Sequence, residues 1–251
     1  MDPLVFLLPL FFLTALLYST AGLGGGSTYL ALLSLFSFSH TQIPQIALIC
    51  NLIVVTGGFY FFARSGYFSF KRVLPFILTS IPLAYVGGRI PVSKTLFGFL
   101  LGFSLLAVAL RLLLSDRPIL FSKKAGAKSF PTFKIGLPVG ALLGLVSGLV
   151  GIGGGIFLSP VLLLMGWADA KQAAASASFF ILVNSCAGLL GQMSKAREIG
   201  EISFILPLGL AVFLGAQVGS RLGSGVLSKV ALQRVTAVFI FFVALRLFWQ
   251  S

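Results

Sequence analysis

Gly22-Leu23-Gly24-Gly25-Gly26 and Gly151-Ile152-Gly153-Gly154-Gly155 interrupt apolar sequence at corresponding places, 129 residues apart, in the two halves of a 251-residue chain. Each run follows a helix-length apolar stretch and precedes a shorter one. A glycine cluster in such sequence breaks a helix and bares its backbone. Bared N–H and C=O groups are tolerated at membrane depth only where protein or a wet cavity covers them. Two breaks in matching positions of two halves are the sequence pattern of a solute-binding site within a membrane.

Composition agrees with a membrane setting. Apolar residues make up 58% of the chain and charged ones 9%, against about a quarter charged in soluble domains. We therefore expect an all-α polytopic membrane protein, one membrane domain without a sizeable soluble module. The N-terminal run carries Asp2 and no Lys or Arg before Arg64. It lacks the basic flank of a signal peptide and reads as a retained segment.

The formal charge of +13 does not point to nucleic acid. The basic residues cluster in loops, as positive-inside topology requires, and no basic face alternates with exposed aromatics. Asp2, Asp116, Asp169, Glu198 and Glu201 all fall at predicted helix ends or loops, which argues against a buried carboxylate proton relay. Cys50 and Cys186 are isolated within apolar helices and read as small core residues. His40 stands alone in a predicted loop, so no metal site and no cofactor is expected. With no buried acid, metal cluster or base–nucleophile pair, the chain is not read as an enzyme.

The pattern divides the chain into a first membrane repeat (1–114), a basic linker (115–134) and a second membrane repeat (135–251). Helices are expected at 3–21, 26–38, from Thr41 to about Ala63, 73–89 and 94–114. The second half repeats the plan at 135–150, 154–166, 171–194, 202–221 and 228–249. Segments 26–38 and 154–166 are shorter than the ~20 residues a span needs. Val86-Gly87-Gly88-Arg89 resembles Val218-Gly219-Ser220-Arg221, and Leu110-Arg111-Leu112 resembles Leu245-Arg246-Leu247, which supports an internal repeat.

Each repeat is thus a glycine-broken helical hairpin plus three transmembrane helices. Three spans after a re-entrant hairpin invert the second repeat relative to the first, so the glycine tips approach the midplane from opposite faces. With the linker cytoplasmic, thirteen of the 18 Lys and Arg residues fall on its side, which places both termini outside. If the short segments cross instead, the helix number rises but no loop changes side. Gly136, Gly140, Gly144 and Gly148, with Gly98/Gly102 and Gly215/Gly219, read as close-packing positions.

The tips offer chemistry. Gly24, Gly25, Gly26, Ser27 and Thr28, and Gly153, Gly154, Gly155 and Ile156, lie where short helices begin. A helix's first turn has unpartnered N–H groups and about half a unit of positive charge. Two facing tips would form an anion clamp, with Ser27 and Thr28 capping the helix or adding hydroxyl donors. Asn51, Ser176, Ser178, Asn184 and Gln192 interrupt apolar helices, as does Thr56; each can hydrogen-bond an anion or a neighbouring helix. Asn51 and Ser178 are read as symmetry mates. Arg89 and Arg221 end equivalent helices and either attract anions or snorkel. The glycine runs are neither Rossmann nor P-loop motifs, because each follows a membrane helix and no Lys-Ser/Thr closes it.

Ser147-Gly148-Leu149-Val150-Gly151-Ile152-Gly153-Gly154-Gly155-Ile156-Phe157-Leu158-Ser159-Pro160, followed by Ala174-Ala175-Ser176-Ala177-Ser178, resembles the TauE/SafE sulfite exporter family. Ala21-Gly22-Leu23-Gly24-Gly25-Gly26 echoes it, and the resemblance covers essentially the whole chain. The first half lacks a counterpart of Pro160, and Asn51 stands where the family more usually has Ser or Thr. The resemblance implies transport of sulfite, sulfonates or related sulfur-containing or organic anions across the bacterial cytoplasmic membrane. The reading is a secondary transporter, an exporter of such an anion working by alternating access; the alternative is an anion channel with the same tips lining a pore. The partners are a small anion and the lipid bilayer, with room for a homo-oligomer.

Overall fold

The computed structural model describes residues 3–20, 22–36, 38–93, 95–100, 102, 103, 106, 131–195 and 202–222. The expected helix at 228–249 and most of the linker lie outside them. The main helices are α1 (Pro3–Ser19), α2 (Gly26–Leu35), α3 (Gln42–Arg64), α4 (Phe70–Arg89), α5 (Phe133–Val150), α6 (Gly155–Leu164), α7 (Ala170–Lys195) and α8 (Ile202–Leu222). Residues 95–100 are also helical, and no strand occurs among the described residues.

Four described helices are long and apolar enough to cross a membrane: Gln42–Arg64, Phe133–Val150, Lys171–Ser194 and Ser203–Ser220. Their outer faces are apolar, with Leu142, Leu206 and Leu210 each at least 60% exposed. Apolar exposure on this scale fits contact with acyl chains. α2 and α6 have ten residues each, about 15 Å at 1.5 Å per residue. That is half a hydrocarbon slab of about 30 Å.

Helix limits agree with the sequence expectation to within about a turn. α4 begins at Phe70 instead of 73 because Ser69 is extended (φ −135°, ψ 115°) and the chain turns helical at once. Lys71 and Arg72 thereby join the helix.

Close packing follows the glycines. A Cβ at Gly140, Gly144 or Gly148 would collide with the carbonyl oxygens of Phe76, Ser80 and Ala84 respectively, so α5 lies on α4 at backbone distance. Gly215 and Gly219 meet the carbonyls of Phe12 and Leu16 in the same way, joining α8 to α1. Both pairs advance together in sequence number, so the helices of each pair run in the same direction. α4 also crosses α7, where Gly88 meets Gly188 and Gly191 meets Tyr85. Small residues let dispersion contacts and backbone dipoles act where lipid removes the usual hydrophobic drive between helices.

The two short helices turn back. The Phe38 ring, beyond α2, lies 4.7 Å from that of Phe204, at the start of α8 and so level with the start of α1. Arg72, at the start of α4 and level with the start of α5, donates from Nε to Trp167 O beyond α6 at 2.8 Å. Beside that contact Lys171 Nζ donates to Tyr67 Oη at 3.1 Å. Each short helix therefore returns toward the end of the bundle from which its hairpin set out.

Candidate functional site

The breaks are built on left-handed backbone. Gly22 (φ 70°) and Gly25 (φ 82°) are matched 129 residues on by Gly151 (φ 89°) and Gly154 (φ 74°), and every described residue with positive φ is a glycine. A side chain at such a position clashes with its own backbone. The first intrahelical bonds of both short helices accept on the equivalent glycines. Thr28 N and Tyr29 N donate to Gly25 O, and Phe157 N and Leu158 N donate to Gly154 O. Gly25 is the N-cap of α2 and receives no side-chain cap. Of the two roles expected of Ser27 and Thr28, capping or hydroxyl donation, neither residue makes the cap bond; both lie inside the helix, and Thr28 Oγ1 donates to Tyr18 Oη at 2.9 Å.

The tips are stitched together across the two halves. Asn51 of α3 donates from Nδ2 to Ile152 O in the second tip at 3.2 Å. Ser178 of α7 donates from Oγ to Gly22 O in the first tip. Asn51 and Ser178 are fully buried, so each bond partners a carbonyl that would otherwise be stranded. A Cβ at Gly26 would stand 2.7 Å from Ile152 O, and one at Gly153 would stand 2.9 Å from Asn51 Nδ2 and 3.1 Å from Ser185 Oγ. The two glycine runs thus touch.

Between them lies a cavity of about 10 Å³, roughly the room of one water. Tyr18, Leu23 and the run Gly24–Ser27 line it from the first half; Ile152, Ile156 and Ile181 line it from the second. Among the described residues no charged side chain borders it. The amides of Gly26, Ser27, Gly155 and Ile156 precede the first helical bonds, in the zone where a helix offers donors and partial positive charge. Asn51 Oδ1 and Tyr29 Oη are buried without hydrogen-bond partners, and the Tyr29 ring contacts the Cβ position of Gly25. Such an arrangement can hold a small anion by donors alone, without a fixed counter-charge.

The remaining sequence candidates sit around this centre. Gly154 backs onto Phe180 and Ser147, and Gly155 packs on Ile181 and the Ala177 carbonyl. Ser176 Oγ donates to Gln172 O at 2.7 Å within its own helix. Asn184 Nδ2 does likewise to Phe180 O at 2.8 Å, leaving its Oδ1 buried without a partner. Neither Ser176 nor Asn184 borders the cavity. Gln192 ties α7 to α5 through Gly148 O at 2.8 Å. Thr56 is exposed and bonds Leu52 O in its own helix, so it is not the buried polar group expected. Cys50 is buried, but Cys186 is exposed; it faces outward from α7 and is not a core residue. Arg89 is exposed at its helix end, and the Arg221 side chain lies outside the described residues.

Sequence reading passed over Tyr18, Leu23, Ile152 and Ile181, and the buried hydroxyls of Ser147 and Ser185. Tyr18 had a signal: a phenol deep in an apolar helix needs a partner, and it precedes Gly22 by four residues, as Ser147 precedes Gly151. Leu23 and Ile152 had one too, since each sits inside a glycine run; Ile181 had none, since nothing separates it from lipid-facing neighbours.

Two glycine-broken helices thus meet tip to tip inside an apolar helical shell, and similarity to known proteins makes the chain a membrane transporter. The chain belongs to the sulfite exporter TauE/SafE family, whose model matches residues 7–247. It is 33% identical over 243 residues to the probable membrane transporter protein y4hK of Sinorhizobium fredii, covering 95% of this chain and 96% of that one. It is 28% identical over 251 residues to the probable membrane transporter protein YunE of Bacillus subtilis, covering 90% and 89%. No solved structure matches the chain.

Proposed function

We propose that the chain is a secondary transporter, an exporter of sulfite or a related small sulfur-containing or organic anion, which binds between the glycine tips. The observation that carries this reading is a cavity bordered by Gly24–Ser27 and by Ile152 and Ile156, with Asn51 and Ser178 bridging the halves. Gly153 and Gly154 shape the second wall, while Ser176, Asn184, Thr28 and Gly155 support it from behind.

In this reading the halves are inverted repeats. Support comes from the paired positive-φ glycines and from the contacts: α4 with α5 and α1 with α8 exchange under the swap of halves. The connectors at 65–69 and 165–169, with the helix starts that follow them, share one end through Arg72–Trp167 and Lys171–Tyr67. Phe38–Phe204 and His40–Phe97 mark the other. Arg64, Lys71, Arg72 and Lys171 make the first of these the cytoplasmic end by the positive-inside rule, in keeping with a cytoplasmic linker and outside termini in the bacterial inner membrane. A ligand larger than one water enters only when the tips part, and rocking one half against the other opens them to alternate sides.

Flux into proteoliposomes tests this, with radiolabelled sulfite against thiosulfate, sulfoacetate and a carboxylate as competitors. Saturable, protein-dependent sulfite flux with counterflow exchange is expected. Current through a continuous pore, without counterflow, would make it a channel; no flux for any of these anions would remove the reading.

A further inference from the structure

We infer that the species accepted at the tips is a singly charged oxyanion that keeps one proton, in preference to the corresponding dianion; this rests on the anion-transport reading above. The first ground is charge. Among the described residues, the polar side chains that line the cavity or stand against its glycine walls are Thr14 and Tyr18 from α1, Ser27 and Tyr29 from α2, Asn51 from α3, Ser147 from α5, and Ser178 and Ser185 from α7. None is charged near neutral pH. The positive potential comes from two helix N-termini at about half a unit each, roughly one unit together. One negative charge is balanced, whereas a dianion would carry an uncompensated charge into a site nearly free of water.

The second ground is an acceptor among the donors. The Asn51 amide is oriented by its Nδ2 bond to Ile152 O, because the flipped amide would set two carbonyl oxygens against each other. Oδ1 is thereby turned to the first tip, where it is the nearest atom to the Cβ position of Gly24. Asn51 is 0% exposed, and Oδ1 has no hydrogen-bond partner. A carbonyl oxygen can only accept, so it repels a bare oxyanion oxygen and welcomes an O–H. A ligand with one protonated oxygen satisfies Oδ1 while its charged oxygens take the tip amides. Such a ligand also carries its proton across, in a site lined by no carboxylate among the described residues.

The test uses the full-length chain in proteoliposomes. Radiolabelled sulfite flux is measured at fixed total concentration from mildly acid to mildly alkaline pH, with the leak into protein-free liposomes subtracted. Sulfate serves as a permanent dianion competitor and methanesulfonate as a permanent monoanion lacking the proton. The expected flux follows the hydrogen sulfite fraction, falling toward about tenfold per pH unit above its ionisation. Sulfate should not compete, and methanesulfonate should compete more weakly than sulfite. Flux independent of pH, or sulfate competing as well as sulfite, would overturn the inference and leave anion transport standing. Absence of protein-dependent sulfite flux at every pH would remove the transport reading and this inference with it.

Discussion

Gly26→Ala isolates the contact between the tips from the backbone chemistry of glycine. Gly26 opens α2 with ordinary helical backbone, since it is not among the positive-φ glycines. Alanine is locally favourable there, by up to about 1 kcal/mol. Against this, the new methyl would sit 2.7 Å from Ile152 O, where ordinary contact begins at 3.4 Å. It also displaces the Asn51 amide, whose bond to Ile152 O contributes about 0.5–1.5 kcal/mol. Overpacking of this kind costs about 1–3 kcal/mol. The net penalty is therefore about 1–4 kcal/mol, concentrated on the apposition of the two tips. At about 1.4 kcal/mol per decade, sulfite affinity should fall by about fivefold to several hundredfold.

Gly57→Ala is the matched control. It lies within α3, and the nearest atom to its Cβ position is Gln217 Nε2 at 3.6 Å. It should leave flux unchanged and stabilise the fold by about 0.4–1 kcal/mol. Concentration-dependent initial rates in proteoliposomes, at equal incorporated protein, decide the comparison. Wild-type rates and affinity in Gly26→Ala would refute the tip-to-tip arrangement.

Three further outcomes are expected. Ser178→Ala strands the buried Gly22 carbonyl and should lower stability by about 1–3 kcal/mol; a melting temperature equal to wild type in detergent would contradict the bond. Gly144→Leu drives a side chain into the Ser80 backbone and should sharply reduce the monodisperse yield on size-exclusion chromatography, whereas a normal profile would disprove the close approach of α4 and α5. With Cys50→Ala and Cys186→Ser as background, a cysteine placed by Ser122→Cys should react with a membrane-impermeant maleimide only from the cytoplasmic side. Labelling in intact cells would reverse the proposed topology.

The breaks were legible because glycine clusters stand out against apolar sequence, and because their spacing recurs. Asn51 and Ser178 were legible for a similar reason: an amide and a hydroxyl in lipid-grade helices need partners, and the partners turned out to be tip carbonyls. The direction a residue faces was not legible. Ile181 borders the cavity while Leu190, on the same helix, is 61% exposed, yet both are equally apolar in sequence. In a soluble helix the polar face would mark the outside; a helix wetted by lipid has no such contrast. The same loss misassigned Cys186 and Thr56, both taken for interior groups.

The stitching of each tip by the opposite half has a consequence for biogenesis. Gly22 O waits for Ser178, 156 residues downstream, and Ile152 O is served by Asn51, made 101 residues earlier. At about 5–20 residues per second, the first hairpin sits in the bilayer for roughly 8–30 s before its carbonyl partner is synthesised. During that interval an insertase, a lipid headgroup or penetrating water must shelter the nascent turn. Stalling translation between the halves should therefore deliver the amino-terminal fragment to membrane proteases, and supplying the other half from a separate transcript should rescue it.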